Sequence, residues 1–140
     1  GLRFLFNSPR SGAGCKRHLM FYRWMIRNDG LDLGLWSGKL TTSKILPKDL
    51  LIPVDTHVAR LSHYLGLRTS KETAAPQWKM TQEITAALSL IDPQDPVRFD
   101  FALSRLGILK LCQRRYEQQI CSRCAVEPAC RYSKIRIQQK

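Results

Sequence analysis

The sequence predicts an all-α fold, on three observations. Apolar residues recur three and four apart in several segments, these segments carry helix start and stop signals, and no segment alternates with a period of two. A first helix is expected from 16 to about 28. Met20, Phe21, Trp24 and Met25 form its apolar stripe, Lys16, Arg23 and Arg27 lie along another face, and Asp29-Gly30 ends it. Residues 31–53 lack a period and contain Gly34, Gly38, Pro47 and Pro53, so a long loop with room for one helical turn is expected there. A second helix starts at Asp55 as N-cap and stops at Gly66, with Val58, Leu61 and Leu65 on its buried edge. A third runs from 78 to about 90 over Met80, Ile84, Ala87 and Leu88. A fourth starts at Asp95 as N-cap with Pro96 in the first helical position, and its stripe is Phe99, Ala102, Leu103 and Leu106. The basic residues 131–140 read as a frayed end.

At 44% hydrophobic and 24% charged, the chain is neither disordered nor membranous by composition. Its longest apolar runs, such as 50–54, are far too short to span a bilayer, and no signal peptide opens it. It begins at Gly1 with Phe4-Leu5-Phe6 already apolar, so it reads as the C-terminal part of a longer chain. The 23 Lys and Arg against 11 Asp and Glu give a formal charge of +12. A field of that sign attracts polyanions, and nucleic acid is the commonest such partner.

Five cysteines bear on chemistry through their placement. Cys15 stands apart, whereas Cys112, Cys121, Cys124 and Cys130 follow the pattern Cys-x8-Cys-x2-Cys-x5-Cys. Without a secretory signal, clustered thiols point to metal before disulfides. Four soft thiolates in so short a span suit one compact centre, either Zn²⁺ or an iron–sulfur cluster, and spacing alone does not choose between them.

Val54-Asp55-Thr56-His57-Val58-Ala59-Arg60 resembles the V-D-T-H-x-x-R segment of endonuclease III and its relatives, the helix-hairpin-helix DNA glycosylases. The four-cysteine tail resembles the iron–sulfur loop that ends those enzymes, and Phe99-Asp100-Phe101-Ala102-Leu103-Ser104-Arg105-Leu106-Gly107 falls where they carry their long penultimate helix. The domain-of-unknown-function 2400 branch of that superfamily is a closer resemblance. It rests on Cys15-Lys16-Arg17-His18-Leu19, Phe21-Tyr22-Arg23-Trp24-Met25-Ile26-Arg27 and Asp32-Leu33-Gly34-Leu35-Trp36.

The resemblance implies two helical lobes with DNA across the cleft between them. Residues 1–91 would be a partial helical-barrel lobe with the hairpin and the Asp55 helix. Residues 92–140 would be the cluster lobe and basic tail, with upstream helices of both lobes missing. A [4Fe–4S] cluster on Cys112, Cys121, Cys124 and Cys130 is implied, with zinc as the alternative. The basic loop around it would offer Arg114, Arg115, Arg123 and Arg131 to phosphates. The implied partner is double-stranded DNA with a damaged base or abasic site, met by a monomer at the nucleoid of the bacterial cytoplasm, with no membrane role.

Ser11-Gly12-Ala13-Gly14-Cys15-Lys16 resembles the family's G-x-G-x-K hairpin, although the Leu-Pro that usually precedes the first glycine is missing. The match implies that Gly12 and Gly14 bring backbone N–H groups against a phosphate. It also implies that Lys16 attacks the sugar C1′ and forms a Schiff base, which needs a neutral amine. From the residues alone, Gly12 and Gly14 mark a turn and Lys16 is a phosphate-binding or solvated lysine at a helix start. Asp55 would be the essential carboxylate, countering positive charge as the glycosidic bond breaks, and it is equally a plain N-cap. His57 reads as a structural hydrogen-bonding residue and Trp36 as a core residue. The expected function is a base-excision repair glycosylase with abasic-site lyase activity. The alternative is a non-catalytic nucleic-acid-binding protein that keeps the scaffold and metal site.

Overall fold

The computed structural model of the chain describes residues 7–37, 45–71, 74–112 and 116–131. These residues are helical, with no strand beyond two isolated bridges, Ala13 with Gln77 and Asn28 with Leu33. The helices are α1 (Lys16–Ile26), α2 (Thr56–Tyr64), α3 (Trp78–Ser89), α4 (Asp100–Ile108) and the single turn α5 (Gln118–Cys121). Short 3-10 turns occupy Pro9–Ser11, Pro47–Asp49, Pro96–Phe99 and Glu127–Ala129. Each has a proline in its first two positions, where a missing N–H costs nothing. The Pro47–Asp49 turn is the one helical turn expected in the loop before α2.

Local chemistry explains the ends of α2. Asp55 caps its start, and Gly66 follows its end in the left-handed conformation (φ 71°), as expected. Gly66 N–H donates to His63 O at 3.1 Å and Leu67 N–H to Ser62 O at 2.8 Å, a closing pair that satisfies two orphan carbonyls.

The core gathers Ile26 of α1, the extended residues Leu50, Ile52 and Val54, Val58 and Leu61 of α2, and Met80, Ile84 and Leu88 of α3, with Val97 and Leu103. Each such side chain, fully buried, contributes about 1.5–3 kcal/mol. The Ile52 N–H donates to Thr85 Oγ1 of α3 at 2.9 Å, which fixes the extended segment whose end delivers Asp55. Among the described residues, the most extensive helix pairing is α2 on α4. A β-carbon at Gly107 of α4 would meet the His57 ring of α2, so only glycine permits that approach. Residues on both sides of position 91 thus build one core.

Two expectations are corrected. The buried residues of α1 are Leu19, Arg23 and Ile26, whereas Phe21 and Trp24 of the apolar stripe stay exposed. The arginine face turns inward because aspartates neutralise it. Arg23 bonds Asp100 and Asp32, and Arg27 bonds Asp32, Asp95 and Asp29. Removing one partner from such a buried pair typically costs about 3–5 kcal/mol, so the network fixes how α1 sits on the chain around Asp95 and Asp100. The second correction concerns Asp95, whose side chain caps no helix. Its carboxylate accepts from Arg27 Nε at 3.0 Å and Nη2 at 2.8 Å instead, and residues 96–99 wind as a 3-10 turn before α4 begins at Asp100. Trp36 packs on the core's edge, 5.4 Å from the Phe21 ring centre. The tail from 132 onward lies outside the described residues.

Candidate active site

Lys16 and Asp55 are 39 residues apart in sequence and meet in space, with Lys16 Nζ 2.9 Å from Asp55 Oδ2. Lys16 is the first residue of α1, presented by a tight turn. Gly12 (φ 77°) closes the Pro9–Ser11 turn, and Cys15 takes a left-handed conformation (φ 47°) rare for a residue with a β-carbon. The buried Cys15 thiol supports it by donating to Asn7 O at 3.2 Å and lying 3.4 Å from Ala13 O. Asp55 divides its carboxylate. Oδ1 accepts the N–H groups of His57 (2.9 Å) and Val58 (2.8 Å), and Oδ2 faces Lys16. Partial burial pushes this carboxyl up, but the Val58 N–H, the Lys16 ammonium and the His57 N–H outweigh it and hold it below the ordinary carboxylate range.

The pair opens into a cleft of about 370 Å³ whose wall includes Arg23, Trp24, Asp100, Phe101 and Arg105. Asp100 is buried at the start of α4 and bonded to Arg23. Burial pushes its carboxyl up to about 6, with Asp55 adding to the rise against the pull of Arg23 and Lys16. Phe101 carries the Arg105 guanidinium 4.8 Å from its ring centre. The sequence does not single out Arg23 or Asp100 for the cleft: spacing sets Arg23 off the apolar stripe, and Asp100 enters only within a family landmark. The available signal was an acid set in the apolar stretch Phe99-Asp100-Phe101-Ala102-Leu103.

The glycine turn is exposed at Gly12 and partly engaged within the fold. The Gly12 N–H donates to Pro9 O at 2.9 Å, its carbonyl accepts from Trp78 N–H at 2.9 Å, and a β-carbon on Gly14 would stand 3.4 Å from the Pro76 carbonyl. Gly14 thus packs against residues 76–77 at ordinary van der Waals distance, while a β-carbon on Gly12 would meet nothing within 4 Å. The His57 Nδ1 is buried with no hydrogen-bond partner, so that ring nitrogen does not play the bonding role expected of it.

The four clustered cysteines sit on one small segment. Cys112 follows α4, Cys121 ends α5, and Cys124 and Cys130 flank the last turn. None of the five cysteines is in a disulfide. The Cys112 thiol is pushed up to about 11, chiefly by burial, with Cys124, Cys130 and Cys121 adding to the rise and Arg60 opposing it. Four thiols at this spacing carry the soft donor atoms of a thiolate-held metal. Among the described residues, however, no three His, Cys, Asp or Glu side chains converge as a metal-holding group. Arg60 Nη2 of α2 donates to Cys112 O at 3.3 Å, and the Arg131 guanidinium lies against Gly66 just past that helix. Arg123 is exposed between Cys121 and Cys124, while Arg114 and Arg115 fall outside the described residues.

The molecule is thus a helical protein with an amine–carboxylate cleft and a thiol-rich tail. A family described as "Protein of unknown function (DUF2400)" matches residues 1–109, and the chain belongs to it. No curated protein and no solved structure matches the chain. Among the described residues, no helix is long and apolar enough to cross a membrane.

Proposed function

We propose that the chain is part of a base-excision repair DNA glycosylase with abasic-site lyase activity. One observation carries this reading: a lysine amine 2.9 Å from a capped, partly buried carboxylate at a cleft large enough for a nucleobase. Lys16, once neutral, attacks the sugar C1′. The C1′–N bond to the base breaks, its electron pair leaves with the base, and an Nζ–C1′ bond forms. Asp55 stabilises the positive charge that develops on the sugar, and its Oδ2, 2.9 Å from Nζ, would help pass on the proton that Lys16 must lose. Gly14 and the first turn of α1 would face a DNA phosphate, with Gly12 shaping the turn. Arg114, Arg115 and Arg123 would add phosphate contacts from the cysteine segment. Cys112, Cys121, Cys124 and Cys130 would hold a [4Fe–4S] cluster, or zinc in its place, which closes that segment against the DNA backbone.

A second reading, a non-catalytic nucleic-acid-binding protein on the same scaffold, draws on the same ion pair. An ammonium held on a carboxylate is not a nucleophile, and a charge pair can serve folding alone. Borohydride trapping on abasic DNA separates the two. A covalent adduct that forms with the full chain and vanishes in Lys16→Ala supports the enzyme. Asp55→Asn keeps the helix cap and should slow base release by ~100-fold or more. DNA binding without an adduct or base release on any lesion supports the second reading.

A further inference from the structure

We propose that Asp100, anchored by Arg23, is the charge-setting second carboxylate of the Lys16–Asp55 cleft, a positioning residue that acts through that pair. The inference rests on the reading above only for what the pair does to DNA. Three observations place it. Asp100 and Arg23 line the same cleft as Lys16 and Asp55. Asp100 is only 6% exposed, so water does little to damp its charge. Arg23 grips it through Nη1 and spends Nη2 on Asp32 at 3.1 Å, so α1 carries both the lysine and the clamp on Asp100.

Among the described residues, few charges line the cleft with Asp100. Lys16 and Arg23 come from α1, Asp55 from the cap of α2, and Arg105 from its own helix, with Asp32 reached through Arg23. His57 meets α4 further along, at Gly107. Lys16 and Arg23 thus face Asp55 and Asp100 across the cleft, while Asp32 is held by Arg27 as well as by Arg23. Of the two carboxylates that line the cleft, Asp100 is the more deeply buried, and Asp55 is a like charge beside it. Burial, reinforced by Asp55, brings the Asp100 carboxyl to about 6, so it changes charge near neutrality while Asp55 stays ionised. Ionised, Asp100 favours the Lys16 ammonium and supports any cation in the cleft. Protonated, it withdraws that support. The covalent step needs the neutral amine, so the charge state of Asp100 governs how readily Lys16 reacts.

Two measurements on the full chain test this. In a carbon-detected NMR titration of the aspartate carboxyls, the Asp100 midpoint should move down in Asp55→Asn, which removes a like charge, and up in Lys16→Met, which removes an opposite one. A midpoint unmoved in both variants overturns the inference whatever the protein does to DNA. In borohydride trapping on abasic DNA, Asp100→Asn should trap about three- to tenfold faster than the parent above the Asp100 midpoint, and the two rates should converge below it. Asp100→Glu should restore the parent profile. Arg23 keeps Asp32 in these variants, so no buried cation is stranded. A role confined to folding would scale the rate equally at every pH, and that result also overturns the inference. If the parent traps no DNA, the glycosylase reading fails while opposite NMR shifts still establish the three-group coupling.

Discussion

The His57 ring abuts Gly107 so closely that a β-carbon at position 107 would stand 2.5 Å from His57 Nδ1 and Cβ. Both partners lie on packed helices with no loose end to yield. Gly107→Ala should therefore destabilise the fold by about 1–3 kcal/mol, the cost of overpacking. His57→Ala in the same chain should return most of that loss, because it empties the space the new methyl needs. Urea unfolding of the single and double variants measures the coupling.

Asp55 and Asp100 should pull the pH dependence of stability in opposite directions. The Asp55 carboxyl lies below its ordinary 3.8 in the fold, so its contribution is complete above that value and is lost as pH falls through the folded midpoint. The Asp100 carboxyl lies at about 6, above its ordinary 3.8, so between these values the fold holds a proton the unfolded chain has released. Its contribution is complete below 3.8 and fades as pH rises to about 6. Asp100→Asn should thus gain on the parent across that window, with a constant difference on either side. Asp55→Asn should lose most at neutral pH and least in acid. Thermal melts from pH 3 to pH 8 decide both.

Anaerobically purified full-length protein should be brown and contain iron and acid-labile sulfide in near-equal amounts. Cys121→Ser should bleach it and weaken folding of the segment that Arg60 and Arg131 tie to α2. A colourless protein with one zinc per chain would rule out the cluster and keep the four-thiol site.

With 23 Lys and Arg against 11 acids, DNA affinity should fall steeply with salt. Arg123→Ala, combined with Arg114→Ala and Arg115→Ala, should weaken binding to all sequences alike and flatten the logarithmic salt slope by about one unit per lost phosphate contact. Fluorescence anisotropy at several salt concentrations reads both effects. A slope near zero in the parent would count against a polyanionic partner.

Much of the fold was legible where a signal is local. Asp55 and Gly66 mark the ends of α2 because a cap and a left-handed stop act on their own neighbours. Met80, Ile84 and Leu88 declare the inner face of α3 by spacing alone. The inner face of α1 was not legible, because burying Arg23 and Arg27 depends on Asp95 and Asp100 arriving from far along the chain. Asp95 misled for the same reason, since its carboxylate answers Arg27 rather than the helix it precedes. In the candidate site, the meeting of Lys16 with Asp55 was expected only through family resemblance. Nothing in spacing draws together two residues separated by a long loop. Asp100 was hidden because a buried acid is recognisable only once its cation is in view.

The two oxygens of Asp55 also bear on how this family can diverge. Oδ1 serves the helix and Oδ2 the lysine, so architecture and reactivity share a residue but not an atom. Asn or Ser at this position would keep the cap to within about 1 kcal/mol, while Asn removes the negative charge and Ser the carboxylate altogether. Glu would keep the charge but reach past the first-turn N–H groups that orient it. On the proposed function, lineages that abandon the chemistry would have an easy mutational exit that leaves the helix intact. In a family alignment, Asn or Ser at this position beside an otherwise intact helix would mark members that bind without reacting.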